Sequence, residues 1–386
     1  MRRSLLAALA LTLTAAGAPS AYAGTDRADL QETVAITQGN GDSSHPVISQ
    51  DRRYSTVLAF ESDASDLVGN DTNGLKDIFM VRRTGHIDNE GSEWQPDSAQ
   101  LVSMGIGGTP ANGPSWGAAI DGGFPEPGNR PTYPKCIAFL SNASNLVRGD
   151  TNGVSDAFLS RGPGGSLQRV SLPGRRQSAL PTTAVAVSVD CSHVAFVTGG
   201  KLYVRWKNKI KRWKLKRMKP RARKAARRTR TKSFRLPGAA ADPSFATGQT
   251  DDLVVGSGAG VHLIKRGTAR PRLVAPGGRN PSYNDVKCRV VAYERDGHGH
   301  SQVAWRYLGV APSRFRRARA GVGCHALQGR GERIASKSAG GRLGNGDSKD
   351  PLVVNSGHYI SFESHARNLG VNALGRAGDL NGQPDA

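Results

Sequence analysis

The chain has 386 residues, 48 of them glycine and 21 proline, and only 6% are aromatic, a balance that excludes long helices and coiled coils and suits many short strands joined by tight turns. The formal net charge of +22 would by itself invite a nucleic-acid reading. However, 17 of the 53 Lys and Arg lie between residues 205 and 235, a stretch with no Asp or Glu, so one segment is extreme and the body is ordinary.

Residues 1–23 open with Arg2 and Arg3, continue with an apolar run from Leu5 to about Ala16, and end on Ala21-Tyr22-Ala23. A charged start, a short apolar centre and a small-residue cleavage site make the pattern of a secretory signal peptide. The run falls short of the about 20 apolar residues a spanning helix needs. The expectation is an exported protein without a transmembrane segment, extracellular or associated with the cell envelope, with residues 24–386 as the mature domain. Export argues against nucleic acid as the partner.

A repeat organises the mature chain. FESDASDLVGNDTNGLKDIF at 60–79 recurs as FLSNASNLVRGDTNGVSDAF at 139–158, and a stretched third copy begins at Phe362. Units that cannot bury their own apolar face signify a solenoid or a propeller. Each copy follows a proline-led strand and a turn. With that template six units emerge, led by Pro46, Pro114, Pro181, Pro243, Pro281 and Pro351. Third strands beginning near Asp77, Asp156, Lys201, Val261 and Gln302, and fourth strands near Leu101, Arg169, Ser233, Arg272 and Arg333, complete five of them. The predicted fold is an all-β, six-bladed β-propeller with four-stranded blades. Val34 precedes Pro46 by the interval that separates Val102 from Pro114, so the N-terminal strand at 33–37 is expected to close the last blade, which itself lacks a third strand.

These units resemble those of the TolB-like six-bladed propeller family, in secreted bacterial form. The family repeats a Pro-led strand, an Asp-Gly turn, a strand ending Ala-Phe-Ser and an Asp-Ile-Phe/Tyr strand. The match is tight at 60–79 and 139–158 and loose in the fourth and fifth units. It departs where the Asp-Gly turn reads Asp51-Arg52 and Asp190-Cys191. The resemblance implies a fold and a non-catalytic scaffold, not one ligand.

Propeller geometry sorts the loops onto two rims. On one lie Asp71, Asn73 and Asp77, repeated as Asp150, Asn152 and Asp156, with oxygen side chains at positions one, three and seven of a glycine-bent loop. Calcium loops start with a similar spacing, and an Asx-Gly turn accounts for the same residues without a cation. The stretched copy offers Asp379, Asn381 and Asp385. On the other rim lies a basic insertion at about 207–232. Its polyanion-binding candidates are Arg205, Trp206, Lys207, Lys211, Arg212, Trp213, Lys214, Lys216 and Arg217, joined by Arg314, Arg316 and Arg317. The tryptophans suit stacking or a membrane interface. Cys136, Cys191, Cys288 and Cys324 fall near that rim, and the expected disulfides are Cys288 with Cys324 and Cys136 with Cys191.

No His-Glu-x-x-His helix or phosphate loop is present. The sequence therefore reads as an exported, non-catalytic propeller scaffold contacting a protein or an anionic envelope polymer, with calcium as its one candidate cofactor. The alternative is a secreted hydrolase or lyase acting on a polyanionic polymer.

Overall fold

The computed structural model describes residues 39–49, 57–83, 94–120, 136–161, 165–174, 176–207, 217–221, 228–247, 250–268, 270–285, 288–310, 324, 331–338, 340–353 and 359–369. The expected signal peptide, the expected closing strand at 33–37 and the third acidic loop lie outside these residues. Strands dominate, and they fall into consecutive antiparallel sheets in chain order. The first holds β1 (Ser43–Ile48), β2 (Val57–Ser62), β3 (Asp77–Arg83) and β4 (Trp94–Leu101); the second β5 (Ser115–Ile120), β6 (Ile137–Ser141), β7 (Asp156–Ser160) and β8 (Leu167–Arg169). The third holds β9 (Thr182–Val187), β10 (His193–Thr198), β11 (Lys201–Lys207) and β12 (Thr229–Phe234); the fourth β13 (Ala241–Phe245), β14 (Leu253–Gly256), β15 (Gly260–Ile264) and β16 (Arg272–Pro276). The fifth holds β17 (Arg279–Asn284), β18 (Cys288–Gly297), β19 (His300–Val310) and β20 (Glu332–Ile334), and β21 (Ser348–Val353) pairs with β22 (Ile360–Ser364) in the last described sheet.

The second to fifth sheets are each covered by a neighbour on both faces, which explains why strands such as IAFLS and DAFLS read as unbroken apolar runs. Alternation along β6 sends Ile137 and Phe139 into the core shared with the first sheet, where they meet Val57, Ala59, Ile78 and Met80. Its other face sends Ala138 and Leu140 into the core shared with the third sheet, against Val185, Val194 and Phe196. The same arrangement links the third sheet to the fourth, the fourth to the fifth, and the fifth to the last. First strands pack in succession, β1 on β5, β5 on β9, β9 on β13, β13 on β17 and β17 on β21. Sheets stacked face to face in chain order with their first strands innermost form a β-propeller architecture. The repeated aromatics anchor it: Phe139 and Phe158 are fully buried and stack at 5.9 Å, and removing either ring would cost about 3–5 kcal/mol.

The prolines that the sequence aligns as strand starts belong to two classes. Pro46, Pro243, Pro281 and Pro351 sit inside β1, β13, β17 and β21, each after a left-handed residue: His45 (φ 50°), Asp242 (φ 45°), Asn280 (φ 44°) and Asp350 (φ 50°). A β-bulge at each of these points takes the extra residues out of the ladder, so a missing N–H is tolerated. In the second sheet Gly117 (φ 65°) takes the bulge, and Pro114 and Pro181 merely precede β5 and β9.

An asparagine clasp ties the start of three units to the loop that follows their own second strand. Asn40 Oδ1 accepts from Ser65 N at 2.9 Å, Asn112 Oδ1 from Ser144 N at 2.8 Å, and Asn345 Oδ1 from Arg367 N at 2.9 Å. The following glycine is required: a Cβ on Gly113 would lie 2.9 Å from Ala143 N.

Candidate functional site

Strand direction places the β2–β3 and β6–β7 loops on one rim and the first-to-second and third-to-fourth connections on the other. The basic segment belongs to the second rim, and both of its ends are anchored in sheet. Pairing between β11 and β12 runs from Leu202 opposite Phe234 to Lys207 opposite Thr229, so these two strands form the antiparallel stem from which the segment departs and to which it returns. Leu202 and Val204 point into the core. Arg205 donates to Leu172 O at 3.4 Å and to Thr231 Oγ1 at 3.3 Å, and burial lowers the pKa of its guanidinium. Trp206 stacks on His193 with ring centroids 6.1 Å apart. Lys232 lies over the Phe234 ring, 5.0 Å from its centroid. Arg217 stands exposed in a short helical turn. The side chain of Lys207, together with Lys211, Arg212, Trp213, Lys214, Lys216, Arg314, Arg316 and Arg317, lies outside the described residues.

Both disulfides have the expected partners. Cys136–Cys191 joins the second and third sheets with a Cα–Cα distance of 6.2 Å, and Cys288–Cys324 lies within the fifth sheet at 5.7 Å. Cys288 opens β18 opposite Val310, whereas Cys191 occupies the turn itself with φ 55°. The longer β18 takes Cys288 into its ladder.

Beside the hairpin base, a cluster missed in the sequence brings Asp190, His193 and Asp251 together, with one potential ligand atom from each within 4.8 Å of the others. Asp190 Oδ1 accepts from Ser188 Oγ at 3.1 Å and from Ser192 N at 2.9 Å. His193 Nδ1 is 3.7 Å from Asp251 Oδ2, and Arg266 Nη1 reaches the same oxygen at 2.8 Å. Arg266 already supplies a positive charge there, so the cluster works as a polar tie between the third and fourth sheets.

On the opposite rim the structure brings each acidic triad together. In the first loop Asn73 Nδ2 donates to Asp77 Oδ2 at 2.6 Å and to Ala111 O at 3.0 Å, while Asn73 Oδ1 accepts from Leu75 N at 2.8 Å. Ser103 Oγ donates to Asp77 Oδ1 at 2.5 Å. Burial pushes the Asp77 carboxyl up to about 6, against hydrogen bonds from Ser103 and Asn73, with the charge of Asp71 adding to the rise. Burial likewise raises Asp71, opposed by the Asn73 backbone N–H.

The second loop repeats these bonds and adds a cation. Asn152 Nδ2 donates to Asp156 Oδ2 at 2.8 Å and to Ser178 O at 2.9 Å, and Ser171 Oγ donates to Asp156 Oδ1. Arg169 reaches from β8 to Asp150 Oδ1 at 2.8 Å and Asp156 Oδ2 at 3.4 Å, and donates to Gly149 O at 3.1 Å and Gln177 Oε1 at 2.6 Å. Burial raises the Asp150 carboxyl, and the Arg169 charge pulls it back against that of Asp156. Ser103, Ser171 and Arg169 were missed in the sequence. The signal lay in the fourth strands, where a serine two residues after Leu101 or Arg169 repeats.

Among the described residues no helix is long and apolar enough to cross a membrane. No family model matches the sequence, and no curated protein sequence does either. Among solved structures the chain is similar to the β-propeller domain of the trilobed protease from Pyrococcus furiosus, at 8% identity and TM-score 0.40, covering 85% of this chain and 79% of that one. It is also similar to the acylaminoacyl peptidase of Pyrococcus horikoshii, at 10% identity and TM-score 0.39, covering 84% of this chain and 43% of that one. Dipeptidyl peptidase 4 of Porphyromonas gingivalis is similar at 12% identity and TM-score 0.40, with 85% of this chain and 42% of that one covered. The chain thus spans less than half the length of these last two peptidases.

Proposed function

We propose that this protein is an exported, non-catalytic, TolB-like propeller of six blades, its last blade closed by the strand at 33–37, and that it is a binding scaffold for an anionic polymer of the cell envelope. The observation that carries the reading is the β11–β12 hairpin. Six paired positions hold both ends of the most basic segment of the chain, with Trp206 seated on His193 at its base. A segment with such charge density cannot bury itself, and a rigid hairpin stem delivers it to one rim, where a polyanion neutralises it. Two disulfides near the same rim fit an oxidising compartment and stiffen the platform.

The test uses the full mature chain and a variant lacking residues 208–227, each mixed with insoluble cell envelope and with vesicles containing about 30% phosphatidylglycerol. Retention of the intact chain on envelope falls steeply between low and high salt, as counterion release requires, and the deletion abolishes it. Retention that is indifferent to salt, or that survives the deletion, overturns the reading. Retention on vesicles alone replaces the polymer with a lipid surface and overturns the choice of partner.

A further inference from the structure

We propose that the Asp71–Asp77 loop of the first sheet binds a hard divalent cation of the calcium class, in the position that the second sheet fills with the Arg169 guanidinium. The two loops are superimposable by register. Phe79 stands opposite Leu101, and Phe158 stands opposite Arg169. The residue that neutralises two carboxylates in the second sheet is thus replaced in the first by leucine. The carboxylates themselves remain.

Asp71 is 5% exposed and Asp77 fully buried. Asp71 Oδ1 is shut off from water and accepts no hydrogen bond, while the other end of that carboxylate takes the Asn73 backbone N–H. Among the described residues no Lys, Arg or His pairs with either acid. Two adjacent buried carboxylates without a counter-charge are costly, and an unsatisfied carboxylate oxygen adds to that cost.

The second loop shows that a cation fits beside the rest of the network. Asp156 Oδ2 receives Asn152 Nδ2 and faces Arg169 Nη1 at once. Asn73 can therefore keep its bond to Asp77 while a cation takes the remaining lone pairs of Asp71 and Asp77. The carbonyl of Gly149, just before Asp150, also accepts from Arg169, whereas Asn70 at that position lacks the left-handed φ of Gly149 (74°), so the two carboxylates are the protein ligands that carry over. An all-oxygen set with two carboxylates, completed by water, suits calcium rather than a transition metal. With only two charges the expected affinity is that of extracellular calcium modules, Kd about 10⁻⁴ to 10⁻³ M. Because Asn73 also donates to Ala111 O, ahead of the second sheet, the cation would brace the junction between the first two sheets.

The experiment compares the full mature chain with Leu101→Arg and Asp71→Asn by thermal melting in about 10 mM calcium, in magnesium and in EDTA, and by calcium equilibrium binding. The unsubstituted chain should melt about 2–5 °C higher in calcium than in EDTA, with a smaller response to magnesium. Leu101→Arg grafts the internal guanidinium into the first sheet. It should melt above the unsubstituted chain in EDTA, show no further rise in calcium and bind one equivalent less. Asp71→Asn should also lose that equivalent, and it supplies the answer should Leu101→Arg fail to fold. Identical melting of the unsubstituted chain in calcium and EDTA with no binding, or a calcium response that survives either substitution undiminished, overturns the proposal.

Discussion

Leu101 and Arg169 occupy the same rung of two sheets, one opposite Phe79 and the other opposite Phe158. Arg169 is only 13% exposed and Asp150 5%, so their ion pair works in a medium where each charge depends on the other. Replacing Arg169 with leucine would strand Asp150 and Asp156 without a cation. The expected loss is about 3–5 kcal/mol of unfolding free energy in urea titrations. Adding Asp150→Asn to that variant should recover part of it. A loss below about 1 kcal/mol for Arg169→Leu would mean that the pair is solvated and unimportant.

The two disulfides should contribute comparably although they do different jobs. Cys136–Cys191 spans 55 positions and fastens one sheet to the next, while Cys288–Cys324 spans 36 within a single sheet. Loop-closure entropy grows only with the logarithm of length, so each pair of serine substitutions should cost about 2–5 kcal/mol, with the longer loop slightly ahead. Chemical denaturation of the two variants, and of the unsubstituted chain with and without reductant, measures this. An unchanged midpoint on reduction would show that the sheet cores alone hold the junctions.

What the sequence disclosed follows from which interactions repeat locally. Runs such as IAFLS are legible because a strand buried on both faces must be apolar throughout, and the acid triads are legible because their members lie within seven positions of one another. The cysteine partners are legible because Cys288 and Cys324 fall in one unit and Cys136 and Cys191 in neighbouring units. Arg169 is not, because it acts from β8 on the loop ahead of β7, outside the repeated stretch, and the first repeat, carrying Leu101, gives no precedent for a charge there. The clasp by Asn40, Asn112 and Asn345 escapes for a similar reason: each joins residues more than twenty positions away, and no propensity at the asparagine marks its partner. The prolines mislead because a bulge moves Pro46 into its strand while Pro114 stays outside. The Asp190–His193–Asp251 cluster draws on turns of two different sheets and becomes visible only once those sheets are stacked.

Asp242 provides a pH-dependent prediction. It sits at the bulge of β13 with φ 45°, and its carboxyl is raised first by loss of hydration among the inner strands and then by the charges of Glu294 and Asp350, although its own surface stays accessible. A carboxyl whose folded pKa lies above its unfolded value near 3.9 costs stability once it ionises, and the cost is relieved as pH falls through the folded pKa toward the unfolded one. Asparagine is well suited to the left-handed conformation, so Asp242→Asn changes little but the charge. It should melt about 1–3 °C higher than the unsubstituted chain at pH 7 to 8, and the difference should vanish near pH 4. A variant that melts lower at pH 7 would show instead that the carboxylate has a cation partner.

Glu61 is the clearest case of one sheet holding the bulge of the next. Its Oε1 accepts from Gly117 N at 2.8 Å, and Glu294 repeats the contact by accepting from Asp350 N at 3.0 Å. Each bulge N–H, having left its own ladder, is thereby satisfied by the preceding sheet. Glu61 is 4% exposed, so Glu61→Ala would leave the Gly117 N–H without its acceptor and cost about 1–3 kcal/mol. Glutamine keeps an acceptor of the same reach but gives up the charge that His45 and Lys76 approach at 3.4 and 3.9 Å. Glu61→Gln should therefore cost less than half as much as the alanine variant in the same urea titration, and the Gly117 amide should stay protected from hydrogen exchange in the glutamine variant and lose protection in the alanine one. Equal costs for the two substitutions would assign the stabilisation to the charge of Glu61 and leave the bulge N–H to water.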